Sequence, residues 1–245
     1  MIYTALMSTC LLLTFVFWLV DERVVREVNV WAKPMKFMSS TALLSLTTAI
    51  LLVFLPTSVR AARALQNMVW VLILTSALEV GYITWQAAWA NASHYNVTSP
   101  FLAVMFGLMA IAAVALTATQ AYLAWVVIKH GLTFGGRVFK QSVAAGLALT
   151  FVLATASGFM LGSLQPPAGE GLPLVGWHLT GGDARPAHFL GVHANQFIPL
   201  AGLALVYLQK KWVSQTVAIS VLYAVVILYV LMWSGLSLLG LSPSP

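Results

Sequence analysis

Apolar residues gather into seven long runs, and polar residues gather between them. The runs cover Met1–Val20, Phe37–Leu55, Met68–Ala88, Phe101–Ile128, Val143–Leu164, Pro186–Leu208 and Val213–Leu239. A helix of about 20 apolar residues crosses a bilayer core of about 30 Å. Lipid then requires each segment to satisfy its backbone groups internally. The pattern predicts an all-α polytopic membrane protein, a seven-transmembrane-helix bundle forming a single domain over residues 1–245. The fifth loop is by far the longest. Pro56, Pro100 and Pro186 fall near run ends, where proline punctuates helices.

Composition agrees: 60% of the residues are hydrophobic, 7% are charged, and the mean hydropathy is +0.92, against about 45–50% apolar content in soluble domains. The single cysteine, Cys10, excludes an intrachain disulfide. The first run has no basic segment before it, and Val20-Asp21 is not a small-residue cleavage site. It is expected to be a retained span.

The loops after the second, fourth and sixth runs carry Arg60, Arg63, Lys129, Arg137, Lys140, Lys210 and Lys211, with no acid. The loops after the first, third and fifth carry Arg23, Arg26, Lys33, Lys36 and Arg185 against Asp21, Glu22, Glu27, Glu170 and Asp183. Short loops rich in Lys and Arg stay in the cytoplasm. The N-terminus is therefore expected inside and the C-terminus outside, in a bacterial inner membrane. The net charge of +6 reflects these anchors rather than nucleic-acid binding. The polar complexity lies on the outer face, in "DERVVREVNVWAKPMKF", "NASHYNVTSP" and the fifth loop.

Two stretches carry candidate chemistry. In "GGDARPAHFLGVHANQFIPL", Asp183 is placed to cap a helix that starts near Ala184, with Pro186 in its first turn. At about 100° per residue, Arg185, His188, Asn195, Gln196 and His193 share one broad sector. Polar groups at membrane depth face the bundle or a wet cavity. In the third run, Thr75, Ser76, Tyr82 and Gln86 lie within about 60° of Glu79. Glu79 sits near mid-bilayer, where a lone charge is costly and an acid is a functional candidate. This stripe leads out to Ser93, His94 and Asn96.

His94, His188 and His193, with Asp183 or Glu79 nearby, would suit zinc, iron or copper, and two of them could hold a haem. The alternative is that they seal the outer bundle by hydrogen bonding. His178 is a weaker ligand candidate. Lys33 and Lys36 beside Trp31 and Phe37 read as an interfacial belt, or as recognition of an anionic substrate or lipid head group. "DERVVREVNV" is expected as a short surface amphipathic helix. Gly158 and Gly162 are expected to pack helices closely. Gln120, with Thr117 beside it, is expected to bond a neighbouring helix.

The segments "WAKPMKF", "SHYN" and "GDARPAHFLGVH" resemble an uncharacterised family of bacterial multi-pass membrane proteins carrying W-x-K-P-x-K-F, S-H-aromatic-N and G-D-x-R-x-x-H-F-x-G-x-H. The resemblance runs from Trp31 to Gln196 and implies that the three segments form one unit. It implies no activity. Seven-span zinc hydrolases share a three-histidine theme, but here the histidine pair is five apart and in the sixth span. Rhodopsins are excluded, because the seventh span has no lysine.

Three functions follow as expectations. The first is a metal- or haem-dependent membrane enzyme or redox protein. His94, His188 and His193 would be its ligands, and Asp183 and Arg185 would orient them. Glu79 would act as acid/base, reached through Gln86 and Tyr82. Asn96, Gln196, Lys33 and Lys36 would complete the binding site for a small-molecule or lipid substrate. The second is a solute or ion transporter with Glu79 as coupling acid. The third is a non-catalytic subunit or assembly factor of a larger membrane complex; a homo-oligomer is also open.

Overall fold

A computed structural model describes residues 1–169, 171–173 and 175–243. Glu170 and the last two residues of the "LSPSP" tail lie outside them. Eight helices and one hairpin follow in order: α1 Ile2–Val20, β1 Val24–Val25, β2 Val28–Asn29, α2 Ala32–Val53, α3 Thr57–Arg60, α4 Arg63–Ala88, α5 Pro100–His130, α6 Gly136–Ser163, α7 Arg185–Gln209 and α8 Gln215–Leu241. Seven of them, all but α3, are long and apolar enough to cross a membrane. The protein is an all-α polytopic membrane bundle.

Local chemistry sets the boundaries. Ser99 caps α5 by accepting from Leu102 N–H, and Pro100 occupies the first turn, where its missing donor costs nothing. Ser214 caps α8 in the same way. Gly131 ends α5 with φ of 77°, a left-handed conformation that glycine adopts freely.

The first loop departs from expectation. "DERVVREVNV" forms an antiparallel hairpin, with Val24 opposite Asn29 and Val25 opposite Val28. Arg26 and Glu27 both take positive φ, 52° and 66°, which a two-residue hairpin turn requires. Its base is clamped by Asp21. That carboxylate accepts from the Arg23 guanidinium at 2.7 Å and the Trp31 indole at 2.7 Å. Together these donors hold the Asp21 carboxyl well below the usual carboxylate range.

Helices α2, α4, α5, α6 and α7 form a ring, each packed on the next. Gln196 on α7 closes it by donating to Thr47 on α2 at 3.1 Å. α1 lies outside α2, joined by Thr4 to Ser45 at 2.9 Å and by Thr14 to the Met38 sulfur. α8 lies outside α6 and α7, with Tyr229 donating to the Leu190 carbonyl at 2.6 Å.

The two ends differ. At one end, which we call the rim, Arg23 donates to Ala88 O, Arg26 to Pro166 O, Lys36 to Val175 O, and Gly182 to Ser242 O. The first, third and fifth loops and the C-terminal end of α8 therefore meet there. The other end, bearing the basic loops, is sealed by a cluster that includes Leu51, Leu55, Leu123, Val127, Val143 and Leu147, each at most 4% exposed.

The α6–α7 seam is tight, but not through the expected glycines. A Cβ at Gly191 would come within 2.8 Å of Ala154 backbone, and one at Gly202 within 1.9 Å of Ser142 Oγ. Gly146 lies similarly tight against Ala194 O and Pro199. Gly162 meets nothing within 4 Å, and Gly158 meets only His188 Cε1 at 3.8 Å. Those two positions border a cavity.

Candidate functional site: a two-chamber cavity at the rim

Two connected pockets lie within the ring, and neither is fully enclosed. An outer vestibule of about 420 Å³ lies under the rim loops. An inner chamber of about 290 Å³ continues into the bundle as far as Gln120 and Thr150. Both are bordered by Phe37, Glu79, Gly158, Gly162 and His188, so these residues form the neck. At about 1.5 Å per residue, the inner chamber runs roughly 18 Å along α6 from Gly162 to Thr150.

α4 carries Glu79 to the neck. The residue is 7% exposed, and its Oε1 has no hydrogen-bond partner among the described residues. Tyr82 and Gln86 are buried on the same helix, yet neither lines a chamber nor bonds Glu79. No direct side-chain hydrogen bond of the expected relay joins them to Glu79 among the described residues. Tyr82 instead packs with Ile83 and Met109.

α7 carries the other polar groups. His188 Nδ1 lies 3.1 Å from Ser157 Oγ. Five residues on, a rotation of about 140° turns His193 onto Phe189, with ring centroids 4.5 Å apart. Its Nδ1 lies 3.2 Å from Gln196 Oε1. Deeper still, Asn195 donates to Gln120 Oε1 at 3.0 Å, as expected of Gln120, while the Asn195 backbone N–H reaches Thr150 Oγ1 at 2.9 Å. Asn195 is fully buried, where lost hydrogen bonds are costly.

The vestibule collects cations from three elements. Arg26 comes from the hairpin turn, Lys33 and Lys36 from the first turns of α2, and Arg185 from the start of α7. Arg185 is tied to Asp183, donating from Nε and Nη2 at 2.8 and 2.7 Å. Asp183 also accepts from the backbone N–H groups of His178 and Arg185. It thus satisfies one orphan donor of the helix start, although the cap position itself is Ala184. Burial works to raise the Asp183 carboxyl, but Arg185 and these N–H groups outweigh it and hold it below the usual range. His94 lies between Phe37 and Phe106, with ring centroids 6.2 and 5.9 Å away, and its Nδ1 is 3.1 Å from Ser93 Oγ. Burial, with the Lys33 ammonium adding to it, pushes the His94 imidazole down to about 3.

The segments "WAKPMKF", "SHYN" and "GDARPAHFLGVH" therefore meet in one vestibule through Lys33, Lys36, Phe37, His94, Arg185 and His188. The expected ligand set does not form. Among the described residues no three His, Cys, Asp or Glu side chains could hold one metal ion. The reason is local: each histidine is turned to its own partner, Ser93, Ser157 or Gln196. Asn96 is also local, accepting from Thr98 Oγ1 at 2.8 Å and lining neither chamber. Sequence reasoning missed Arg26 as a vestibule residue, because its position depends on a turn across to Pro166. It also missed that Gly158 and Gly162 keep space open.

No protein family matches the chain. No curated protein and no solved structure matches it either.

Proposed function

We propose that this protein admits a small molecule from the outer face of a bacterial inner membrane and holds it beside Glu79 and His188 for acid/base chemistry. In this reading the N-terminus is inside and the rim faces out, in keeping with the basic loops at the opposite end. The observation that carries it is the neck, where a buried carboxyl with an unpartnered oxygen and an imidazole border both chambers. A buried polar atom without a partner is costly in a purely structural role and suits a group that meets a ligand. Buried titratable side chains that converge on a cleft are the usual mark of such sites.

The apolar seal at the basic end favours chemistry over transport. The chamber stops at Gln120 and Thr150, and Leu123, Val127, Val143 and Leu147 lie beyond it with no exposure. A carrier would have to part this seal on every cycle.

The test is directional labelling. In a Cys10→Ala background, Glu79→Cys and His188→Cys should react with a membrane-impermeant thiol reagent added to the outside of spheroplasts. They should resist it in inverted vesicles, and Leu123→Cys should resist it from both sides. Reaction from the basic-loop side only, or none where a Lys36→Cys control reacts, overturns the reading.

A further inference from the structure

The two chambers differ in chemistry, and that difference names a ligand class. Among the described lining residues of the vestibule, Arg26, Lys33, Lys36 and Arg185 face one acid, Glu79. Asp183 compensates Arg185, but the other three have no ion-pair partner among the described residues. Donors also remain free. Arg185 uses Nε and Nη2 on Asp183 and leaves Nη1. Lys36 gives one N–H to Val175 O, and Arg26 gives one from Nη2 to Pro166 O. Lys33 makes no side-chain hydrogen bond with the described residues. Forked guanidinium and ammonium donors converging on one space suit a phosphate or a carboxylate.

The inner chamber is of the opposite kind. Its exposed lining is mainly apolar, with Leu44, Ala110, Val114, Ala154, Phe159 and Val192 among the contributors, and Lys36 and Glu79, both at the vestibule side, are its only Lys, Arg, Asp or Glu side chains among the described residues. It joins the vestibule at the neck, where Gly158 and Gly162 contribute no side chain of their own and a Cβ at Gly158 would meet only His188 Cε1, at 3.8 Å. A metal cation would be repelled by the vestibule. A free inorganic anion would leave the inner chamber unused, and a neutral apolar molecule would leave the cations unused.

We infer that the ligand is a single-chain amphiphile with a phosphate or carboxylate head, its head held among Arg26, Lys33, Lys36 and Arg185 and its chain passing Gly158 into the inner chamber. This rests on the reading that the cavity admits a small molecule from the rim.

The experiment uses the full chain in a neutral detergent, with dodecyl phosphate, dodecanol and inorganic phosphate as probes. Binding is read by native mass spectrometry and by the thermal unfolding midpoint, which a ligand of the folded state raises. Dodecyl phosphate should raise the midpoint, while dodecanol and phosphate at the same concentration leave it unchanged. Lys33→Gln should weaken dodecyl phosphate by about tenfold or more, as expected for a lost charged hydrogen bond. Gly158→Phe should abolish its effect, and Gly162→Leu, at the more open position, gives the same readout if the first variant does not fold. An equal response to phosphate alone, or to dodecanol alone, overturns the inference. So does dodecyl phosphate binding that ignores Lys33 and both glycine variants. Binding that depends on Lys33 while Glu79→Cys stays unreactive leaves the head-group site standing and removes the access to Glu79 on which the acid/base reading depends. A reactive Glu79→Cys without dodecyl phosphate binding does the reverse.

Discussion

Gln196 and Thr47 are 149 residues apart, and their 3.1 Å hydrogen bond joins α7 to α2. It closes the ring that makes the cavity. Gln196 Oε1 also lies 3.2 Å from His193 Nδ1, so one amide holds both the ring and the imidazole.

Thr47→Val removes the acceptor and keeps the shape. Hydrogen bonds between membrane helices contribute about 0.6 kcal/mol on average and up to about 1.7. A loss in that range is expected, read as a lower unfolding midpoint in detergent. Gln196→Ala should cost more, because His193 loses its partner as well. Equal midpoints for wild type and Gln196→Ala would show that packing alone closes the ring.

The glycines give a sharper contrast. Gly191→Ala drives a Cβ to within 2.8 Å of Ala154 backbone, which no rotamer can relieve, whereas Gly162→Ala meets nothing. Overpacking a tight seam costs about 1–3 kcal/mol. Gly191→Ala should therefore lower the midpoint clearly, and Gly162→Ala should leave it unchanged or raise it slightly by improving helix propensity. Thermal unfolding of both variants in one detergent decides this.

These cases show what the residue pattern carried. Every span was legible, because lipid demands long apolar helices and the runs are separated by Pro, Gly and charge. That Glu79 and His188 face inward was also legible, since helical periodicity fixes a side chain's angle. Periodicity cannot give the distance between helices. For that reason Gly158 and Gly162 read as a packing motif although they border empty space, and the histidines read as one ligand set although each has its own partner. The hairpin at Arg26 and Glu27 was hidden because the valines of "VVREVNV" fit a helix face and a strand pair equally well.

Asp183 and Arg185 form the ion pair that anchors the start of α7, with side-chain exposures of 0% and 30%. Asp183→Asn leaves the guanidinium unpaired and weakens two backbone hydrogen bonds. Breaking a fully buried pair costs about 3–5 kcal/mol. With Arg185 partly in solvent, about 2–3 is expected. The double variant Asp183→Asn with Arg185→Met removes the stranded charge and should recover part of the loss. A double variant no more stable than Asp183→Asn alone would mean that the backbone contacts to His178 and Arg185, rather than the charges, set the cost.

His94 offers a dependence on pH. Its imidazole is pushed down to about 3 in the folded protein, against about 6.5 in an unfolded chain. Between those values the unfolded state binds one more proton at this site than the folded state does. Stability therefore rises with pH across that window, by at most about 1.4 kcal/mol per pH unit from one proton. Above about 6.5 neither state is protonated there, and the contribution is flat. Other groups titrate in the same range, so the comparison is with His94→Gln, which keeps a polar group beside Ser93 and loses the titration. The wild type should lose stability more steeply than the variant as pH falls from about 6.5 to 4.5, and the two slopes should coincide between pH 7 and 8. Parallel curves throughout would mean that neither burial nor the Lys33 charge lowers the His94 imidazole in the folded protein.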